Sequence, residues 1–320
     1  MTTSSARSVD VLAVGDASVD YFVRVPHIAV ADDKAIGRLV GVHGGGMSAN
    51  LAAAASFAGA RAALATAVGS DEPGRQALER LAAHGVDVSA SIAVPGGHTW
   101  FCVIQLDATG EKSLVGAVTE VKIPAVDQIS DDLLRTARVV APLADDLGWA
   151  TGLARRARAA GAKVAVDLEP GAVAGRWDQV RALARLSDLV FCNQGTVRVL
   201  AGGDPVRCAE LLISAGAGAV VVTRGRDGAL CFGPEESWSA RGPRLDVVDT
   251  TGAGDALAGA FTGSWIRGRS LADSLRAGVA AASLCVSHLG SRAYLDAGTG
   301  IETLARDVTL DAAPHPQGIR

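Results

Sequence analysis

The chain has 320 residues, enough to bury a large core in one big α/β domain or two smaller ones. Apolar residues make up 49% and charged residues 20%, which excludes a disordered chain, and a net charge of −4 gives no attraction to nucleic acid or an anionic membrane. With no apolar run of about 18 residues, no apolar signal-peptide core in residues 1–10 and no C-x-x-C pair among Cys102, Cys192, Cys208, Cys231 and Cys285, the expectation is a cytoplasmic, reduced protein without disulfides or zinc.

The first apolar run, 9–15, predicts a buried strand broken by Gly15, with Asp16 and Asp20 just beyond it. In open α/β sheets ligands bind past the carboxyl ends of strands, which makes Asp20 a candidate to hydrogen-bond a polar ligand. Apolar residues alternate over 21–42 as in strands, around a polar bend at Asp32-Asp33-Lys34. His43-Gly44-Gly45-Gly46-Met47-Ser48-Ala49-Asn50 then leads into an alanine-rich helix over 51–60. This Gly-rich turn lacks the last glycine of G-x-G-x-x-G and the Gly-Lys-Ser/Thr of a Walker A loop. A strand over 62–68, a helix over 74–84 ended by Gly85, and further strand-like alternation over 88–118 follow. That last block turns at Pro95-Gly96-Gly97 and Asp107-Ala108-Thr109-Gly110, and carries Trp100 and Phe101.

From about residue 130 strands (139–141, 163–167, 189–192, 219–223) alternate with helices (146–160, 176–186, 206–216), the pattern of parallel βαβ units with right-handed crossovers. Asp167 ends the second of these strands, and a Gly-punctuated loop, Thr223-Arg224-Gly225-Arg226, follows the last. A helix of small residues is expected over 271–288, and the stretch 309–320, with Pro314 and Pro316, reads as a poorly ordered tail.

The chain is organised around residues 247–261. An apolar pair ends in Asp249, two threonines follow, and Gly252-Ala253-Gly254 opens a long helix of small residues with Asp255 in its first turn. Glycines let backbone N–H groups converge on an anion at a helix N-terminus, where the dipole is positive. A carboxylate beside such an anion hole suits phosphoryl transfer to a hydroxyl: the acid takes the proton while charge grows on the phosphoryl oxygens.

The string Asp249-Thr250-Thr251-Gly252-Ala253-Gly254-Asp255 resembles, residue for residue, the second signature of the ribokinase-like (PfkB) carbohydrate kinases, and Gly45-Gly46 with Asn50 resembles the first, Gly-Gly-x-x-x-Asn. The resemblance covers nearly the whole chain. It implies a three-layer α/β/α sandwich over residues 1–308 with a mainly parallel central sheet. A small β lid would be inserted at about 17–42 and 92–118; a sheet of that size is marginal alone, so a homodimer through the lid is expected. The implied reaction is transfer of the γ-phosphoryl group of ATP, with Mg²⁺, to a primary hydroxyl of a sugar or sugar-like substrate. Asp255 would be the base and the Gly252, Ala253 and Gly254 backbone the anion hole. Asp20, Gly45, Gly46 and Asn50 would hold the substrate, with Trp100 as a lid contact. Asn193, Thr223 and Gly225 would meet ATP, and Ala277, Gly278, Ala281 and Ala282 fall near the expected adenine pocket. Asp249 and Thr251, with the 286–292 segment, resemble the potassium site of some members.

Four positions depart from the family pattern. Ser18 stands where ribokinases have Asn, Met47 where they have Lys, Glu169 where Asn is usual, and Thr196 where an acid linked to magnesium and phosphate is expected. Two other readings remain: a nucleoside kinase of the same family, and a sugar-binding sensor that has lost catalysis.

Overall fold

The apolar runs of the sequence become neighbouring strands of one large sheet. The computed structural model describes residues 7–108, 111–117 and 119–316. In chain order the first half comprises β1 (Val9–Gly15), β2 (Ser18–Arg24), β3 (Arg38–Gly45), α1 (Met47–Phe57), β4 (Ala62–Gly69), α2 (Glu72–Ala83), β5 (Val86–Asp87), β6 (Ile92–Val94), β7 (Phe101–Leu106) and β8 (Lys112–Ala117). Next come α3 (Asp131–Thr136), β9 (Ala137–Pro142), α4 (Leu147–Ala159), β10 (Lys163–Leu168), α5 (Pro170–Val173), α6 (Trp177–Ala184), β11 (Leu189–Cys192), α7 (Gln194–Ala201), α8 (Pro205–Ser214) and β12 (Ala219–Thr223). The chain closes with β13 (Ala229–Phe232), β14 (Ser237–Arg241), α9 (Ala253–Ile266), α10 (Leu271–Val286), α11 (Ile301–Ala305) and β15 (Thr309–Ala312).

The large sheet has the order β15-β14-β13-β12-β11-β10-β9-β1-β4-β5, with β6 also on β4. From β4 to β12 every neighbouring pair is parallel; β13, β14 and β15 each run antiparallel to the strand before them. The chain leaves β1 to build β4 on one side and returns to β9 on the other, so the carboxyl end of β1 is a topological switch point, where such sheets bind ligands.

Side chains of a strand alternate between faces, and β1 shows what that does to the core. Leu12 and Val14 pack with Leu147, Leu153, Val180 and Leu212 of α4, α6 and α8. Val11 faces the other way, into the core of Leu257, Phe261 and Val279 from α9 and α10. The expected three layers follow. Helix starts carry their own caps: Asp146 accepts from the Gly148 and Trp149 amides, and Asp204 from those of Val206 and Arg207, ahead of Pro205 in the first turn. The small residues of α1 and α9 serve close approach, since a Cβ on Gly259 would lie 2.2 Å from the Leu51 carbonyl oxygen. Behind them Phe261 meets Phe191 edge-on, ring centroids 5.5 Å apart, a buried contact whose truncation to alanine costs about 3–5 kcal/mol in comparable cores.

A separate four-stranded sheet, β3-β2-β7-β8, is the lid. Its inner face is thin, with Phe22, Cys102 and Ile104 buried together. The expected boundaries of 17–42 and 92–118 need two corrections. β3 continues to Gly45, and β6 belongs to the large sheet, Ile92 opposite Ala67 of β4. Three residues of alternation do not specify which sheet they join. Thr109, Gly110 and Val118 of the expected lid lie outside the described residues. The expected tail is corrected as well: Thr309–Ala312 add β15 to the sheet edge, Trp238 opposite Ala312, while residues 317–320 lie outside the description. No helix among the described residues is long and apolar enough to cross a membrane.

Candidate active site

The carboxyl edge of the sheet, the N-terminus of α9 and the inner side of the lid enclose one cavity of about 1180 Å³. At the switch point Asp16 is 2% exposed, and its Oδ1 accepts the Ser48 N–H at 3.0 Å, tying the end of β1 to the first turn of α1. Burial raises its carboxyl above the usual range. On β2, burial likewise pushes Asp20 up to about 6, opposed by the Arg292 guanidinium and by the Ser18 hydroxyl, which donates at 3.3 Å. The carboxylate lies against the backbone of Gly45, where a Cβ would come within 2.4 Å of it; only glycine fits. Arg292 is itself buried and donates to the Gly44 and Gly45 carbonyls. Burial draws its guanidinium down to about 10.

Asn50, in the first turn of α1, donates from Nδ2 to Asp255 Oδ2 at 2.8 Å. The Ser291 hydroxyl lies 3.1 Å from both Asn50 Oδ1 and the Gly44 carbonyl oxygen, and donates to one or the other. Asp255 sits in the first turn of α9 behind Gly252, whose φ of 78° is a left-handed value that favours glycine. A side chain there would also overlap Ser291, with Cβ atoms 2.3 Å apart. The Ala253 amide turns to the Thr250 carbonyl at 3.4 Å and the first helical bond runs from Ala256 to Gly252. The amides of Gly254 and Asp255 therefore head the helix without a carbonyl four residues back to accept them. Burial drives the Asp255 carboxyl well above the usual range; Asn50 opposes this, and Asp167, Asp16 and Glu169 add to it. An acid tuned upward beside helix-terminal donors can take a proton near neutral pH.

On the facing wall Asp167, the penultimate residue of β10, is pushed up to about 7 by burial and the neighbouring Glu169. Asn193 caps α7, accepting from the Thr196 amide at 2.9 Å, and its Nδ2 donates to both Glu169 oxygens at 3.1 and 3.2 Å. Thr196 is fully buried and donates to the Leu168 carbonyl, so no acid of that position reaches the cavity. Glu169 brings a carboxylate to Asn193 from the adjacent strand end instead.

Of the residues singled out from sequence, Asp20, Gly46, Asn50, Trp100, Asn193, Thr223, Gly225, Thr251, Gly252, Ala253, Gly254 and Asp255 all line the cavity. Gly45 and Asp249 are buried behind its wall. Trp100 carries Lys122 over its ring at 5.4 Å and has a buried Nε1 with no hydrogen-bond partner among the described residues. Of the residues expected near adenine, Ala282 lines the cavity, beside Val279, Ser283 and Val286, while Gly278 and Ala281 turn inward, a Cβ on Gly278 meeting the Leu257 carbonyl at 2.9 Å. Arg226, in the Gly-punctuated loop after β12, also lines it, with Arg241 and Arg244. Arg241 carried no motif signal; Ser291 and Arg292 lie in the 286–292 segment expected at a cation site, and they reach Gly44 and Gly45 by packing.

The expected cation ligands are already bonded. Asp249 Oδ1 accepts the Thr251 amide at 3.0 Å and hydroxyl at 2.7 Å, Oδ2 accepts the Gly290 amide at 3.1 Å, and Lys112 Nζ of the lid lies 3.3 Å from Oδ1.

Residues 9–297 match the pfkB family carbohydrate kinases. The chain is 32% identical over 286 residues to an ATP-dependent ribose-1-phosphate kinase of Halopiger xanaduensis, covering 89% of this chain and 94% of that one. Its fold superposes on a ribokinase of Thermotoga maritima with a TM-score of 0.81 at 21% identity, covering 93% and 99% of the two chains. It superposes on an Arabidopsis thaliana ribokinase complexed with ribose and ATP with a TM-score of 0.79 at 23% identity, covering 94% and 98%. The chain belongs to the pfkB family of carbohydrate kinases and is an ATP-dependent kinase.

Proposed function

We propose that the protein transfers the γ-phosphoryl group of ATP to a primary hydroxyl of a sugar or sugar-like substrate, with Asp255 as the base. The observation that carries this reading is the position of Asp255, at the N-terminus of α9 and hydrogen-bonded to Asn50, inside the cavity that Asp20 and Thr223 also line. The acceptor lies between Asp20, Gly46, Asn50 and Trp100, and the nucleotide runs past Asn193 to Thr223, Gly225 and α10. The hydroxyl proton passes to Asp255 as the oxygen attacks the γ-phosphorus. The bond to the β-phosphate oxygen breaks, and ADP leaves. The turn Gly252-Ala253-Gly254 presents the free amides at the head of α9, Gly254 among them, to the charge on the phosphoryl oxygens; one such donor is worth roughly 2.7–4 kcal/mol of barrier.

The donor set also fits Mg²⁺, which when bound neutralises phosphate charge. Asp167 and Glu169 are oxygen donors raised by burial, the Glu169 charge adding to the rise of Asp167 and the Asp145 charge to that of Glu169, and the neutral Asn193 amide is no counter-ion to either. They would hold the ion through its waters, as magnesium sites commonly do.

The same lid exposes Ile36 (77%), Leu39 (56%), Leu114 (53%) and Val115 (56%), apolar surface suited to a second copy and a homodimer. A nucleoside acceptor is the second reading, favoured by Trp100, whose unpartnered Nε1 and ring border the acceptor end. The deciding experiment follows ADP formation against sugars, sugar acids, sugar phosphates and nucleosides with Mg²⁺. Turnover on a sugar or sugar phosphate supports the proposal, turnover on nucleosides alone supports the second reading, and no turnover on any acceptor overturns both in favour of a sugar-binding sensor.

A further inference from the structure

We propose that the Lys112 ammonium serves as the fixed monovalent cation of the anion-hole loop, so that this kinase does not need potassium. The inference rests on the phosphoryl-transfer reading above and assigns a positioning residue to it. Lys112 opens β8, an edge strand of the lid, and crosses the cleft to the turn before α9. Its Nζ lies 2.9 Å from Thr251 Oγ1, 3.2 Å from Thr250 Oγ1 and 3.3 Å from Asp249 Oδ1. Two of these oxygens belong to the residues whose pattern resembles a potassium site.

The charge count favours the lysine. The Asp249 side chain is 2% exposed, and a buried carboxylate needs both hydrogen bonds and a counter-charge. Burial pushes its carboxyl up, yet the Thr251 hydroxyl and amide, the Lys112 charge and the Gly290 amide together bring it below the usual range. Among the described residues the cation paired with it is Lys112. A potassium ion on the same oxygens would sit against the like charge of the ammonium. The residues present therefore do not fit a potassium ion while the lysine is in place.

The consequence reaches the site through Asp249. Its Oδ1 accepts the Thr251 amide and so shapes the turn into Gly252, while Thr250 and Thr251 border the cavity. The cation is thus carried by a lid strand and set against the turn that leads into the anion hole.

The test uses the full-length protein and its Lys112→Met and Lys112→Arg variants. ADP binding by calorimetry and turnover are both measured in choline chloride, potassium chloride and ammonium chloride. Lys112 is 38% exposed at its side chain on an edge strand, so both variants are expected to fold, checked by their melting temperatures. The wild type should bind ADP and turn over equally in all three salts. Lys112→Met should lose about tenfold or more in choline, the scale of one charge-assisted hydrogen bond, and recover in potassium or ammonium; Lys112→Arg should stay close to wild type in choline. Potassium stimulation of the wild type, or an unimpaired Lys112→Met in choline, overturns the proposal. So does an impairment that neither ion relieves, since that would make the lysine a tether and not a cation. Loss of the kinase reading itself would show differently, as absence of turnover with every acceptor while the ADP-binding comparison still stands.

Discussion

Asn50 and Asp255, 205 residues apart, are joined by a 2.8 Å hydrogen bond from Nδ2 to Oδ2. The bond links the first turn of α1 to the first turn of α9, so the two Gly-rich turns of the sequence form one site. A carboxylate that accepts a neutral amide bond is oriented without being neutralised. With burial raising it, this is the combination wanted in a base that must hold a proton only briefly.

Replacing that carboxylate should remove chemistry and little else. Asp255→Asn keeps the shape and lets the Asn50 amide find an oxygen, so the melting temperature and ADP affinity should stay close to wild type. ADP formation should fall by about 10²–10⁴-fold, the usual contribution of a general base. Turnover near the wild-type rate would remove Asp255 from the reaction.

Asn50→Ala tests the orientation. The variant loses the one bond that favours the ionised Asp255, leaving burial and the Asp167, Asp16 and Glu169 charges to disfavour it. The carboxyl then binds its proton more tightly, so the acidic limb of kcat/KM should move to higher pH, with a raised KM for the acceptor. A pH–rate profile with an unmoved acidic limb would show that Asn50 does not tune the base.

Much of this site was legible because its residues come in short local strings. Gly45, Gly46 and Asn50, and again Gly252 to Asp255, lie within six positions of one another, and backbone geometry alone brings them together. The alternation after residue 130 likewise pointed to parallel strands joined by crossover helices. What escaped depends on neighbours distant in sequence. Thr196 looked like a missing acid, but its hydroxyl is committed to the Leu168 carbonyl, and the carboxylate near Asn193 comes from Glu169, just past the end of β10. Arg292 reaches Gly44 and Gly45 from almost the other end of the chain, with no spacing rule to announce it. Thr309–Ala312 was hidden because four edge residues followed by prolines look like any loose terminus.

The two glycines of the anion hole should separate stability from activity. At Gly252 an alanine meets a left-handed φ of 78° and Ser291 at 2.3 Å; the conformation alone costs about 1–2 kcal/mol and the overlap about 1–3 more. Gly252→Ala should therefore melt lower and lose activity together. At Gly254 nothing lies within 4 Å of a Cβ, and alanine in a helix gains up to about 1 kcal/mol over glycine. Gly254→Ala should melt at or above wild type while turnover falls, because the new methyl enters space reserved for phosphate. Equal activity in Gly254→Ala and wild type would argue against an anion at this turn.

Asp20 carries a pH signature that can be read without a substrate. Its carboxyl titrates near 3.8 when unfolded and at about 6 in the fold, where burial is the main cause. The folded state thus binds the proton more tightly, and stability falls as pH rises through this window. The contribution is nil below about pH 4 and fully developed above about pH 6, reaching about 3 kcal/mol at most. Asp16, Asp167 and Asp255 are raised in the same direction and add their own slopes, so the comparison must be with Asp20→Asn, which mimics the protonated form. Urea unfolding should find the two proteins alike near pH 4 and the variant more stable by up to that amount at pH 7, although its affinity for the acceptor is lost. If the difference between them did not change from pH 4 to pH 7, the Asp20 carboxylate would not be held against the cost of its burial, and its role as an anchor poised for the acceptor hydroxyls would fail with it.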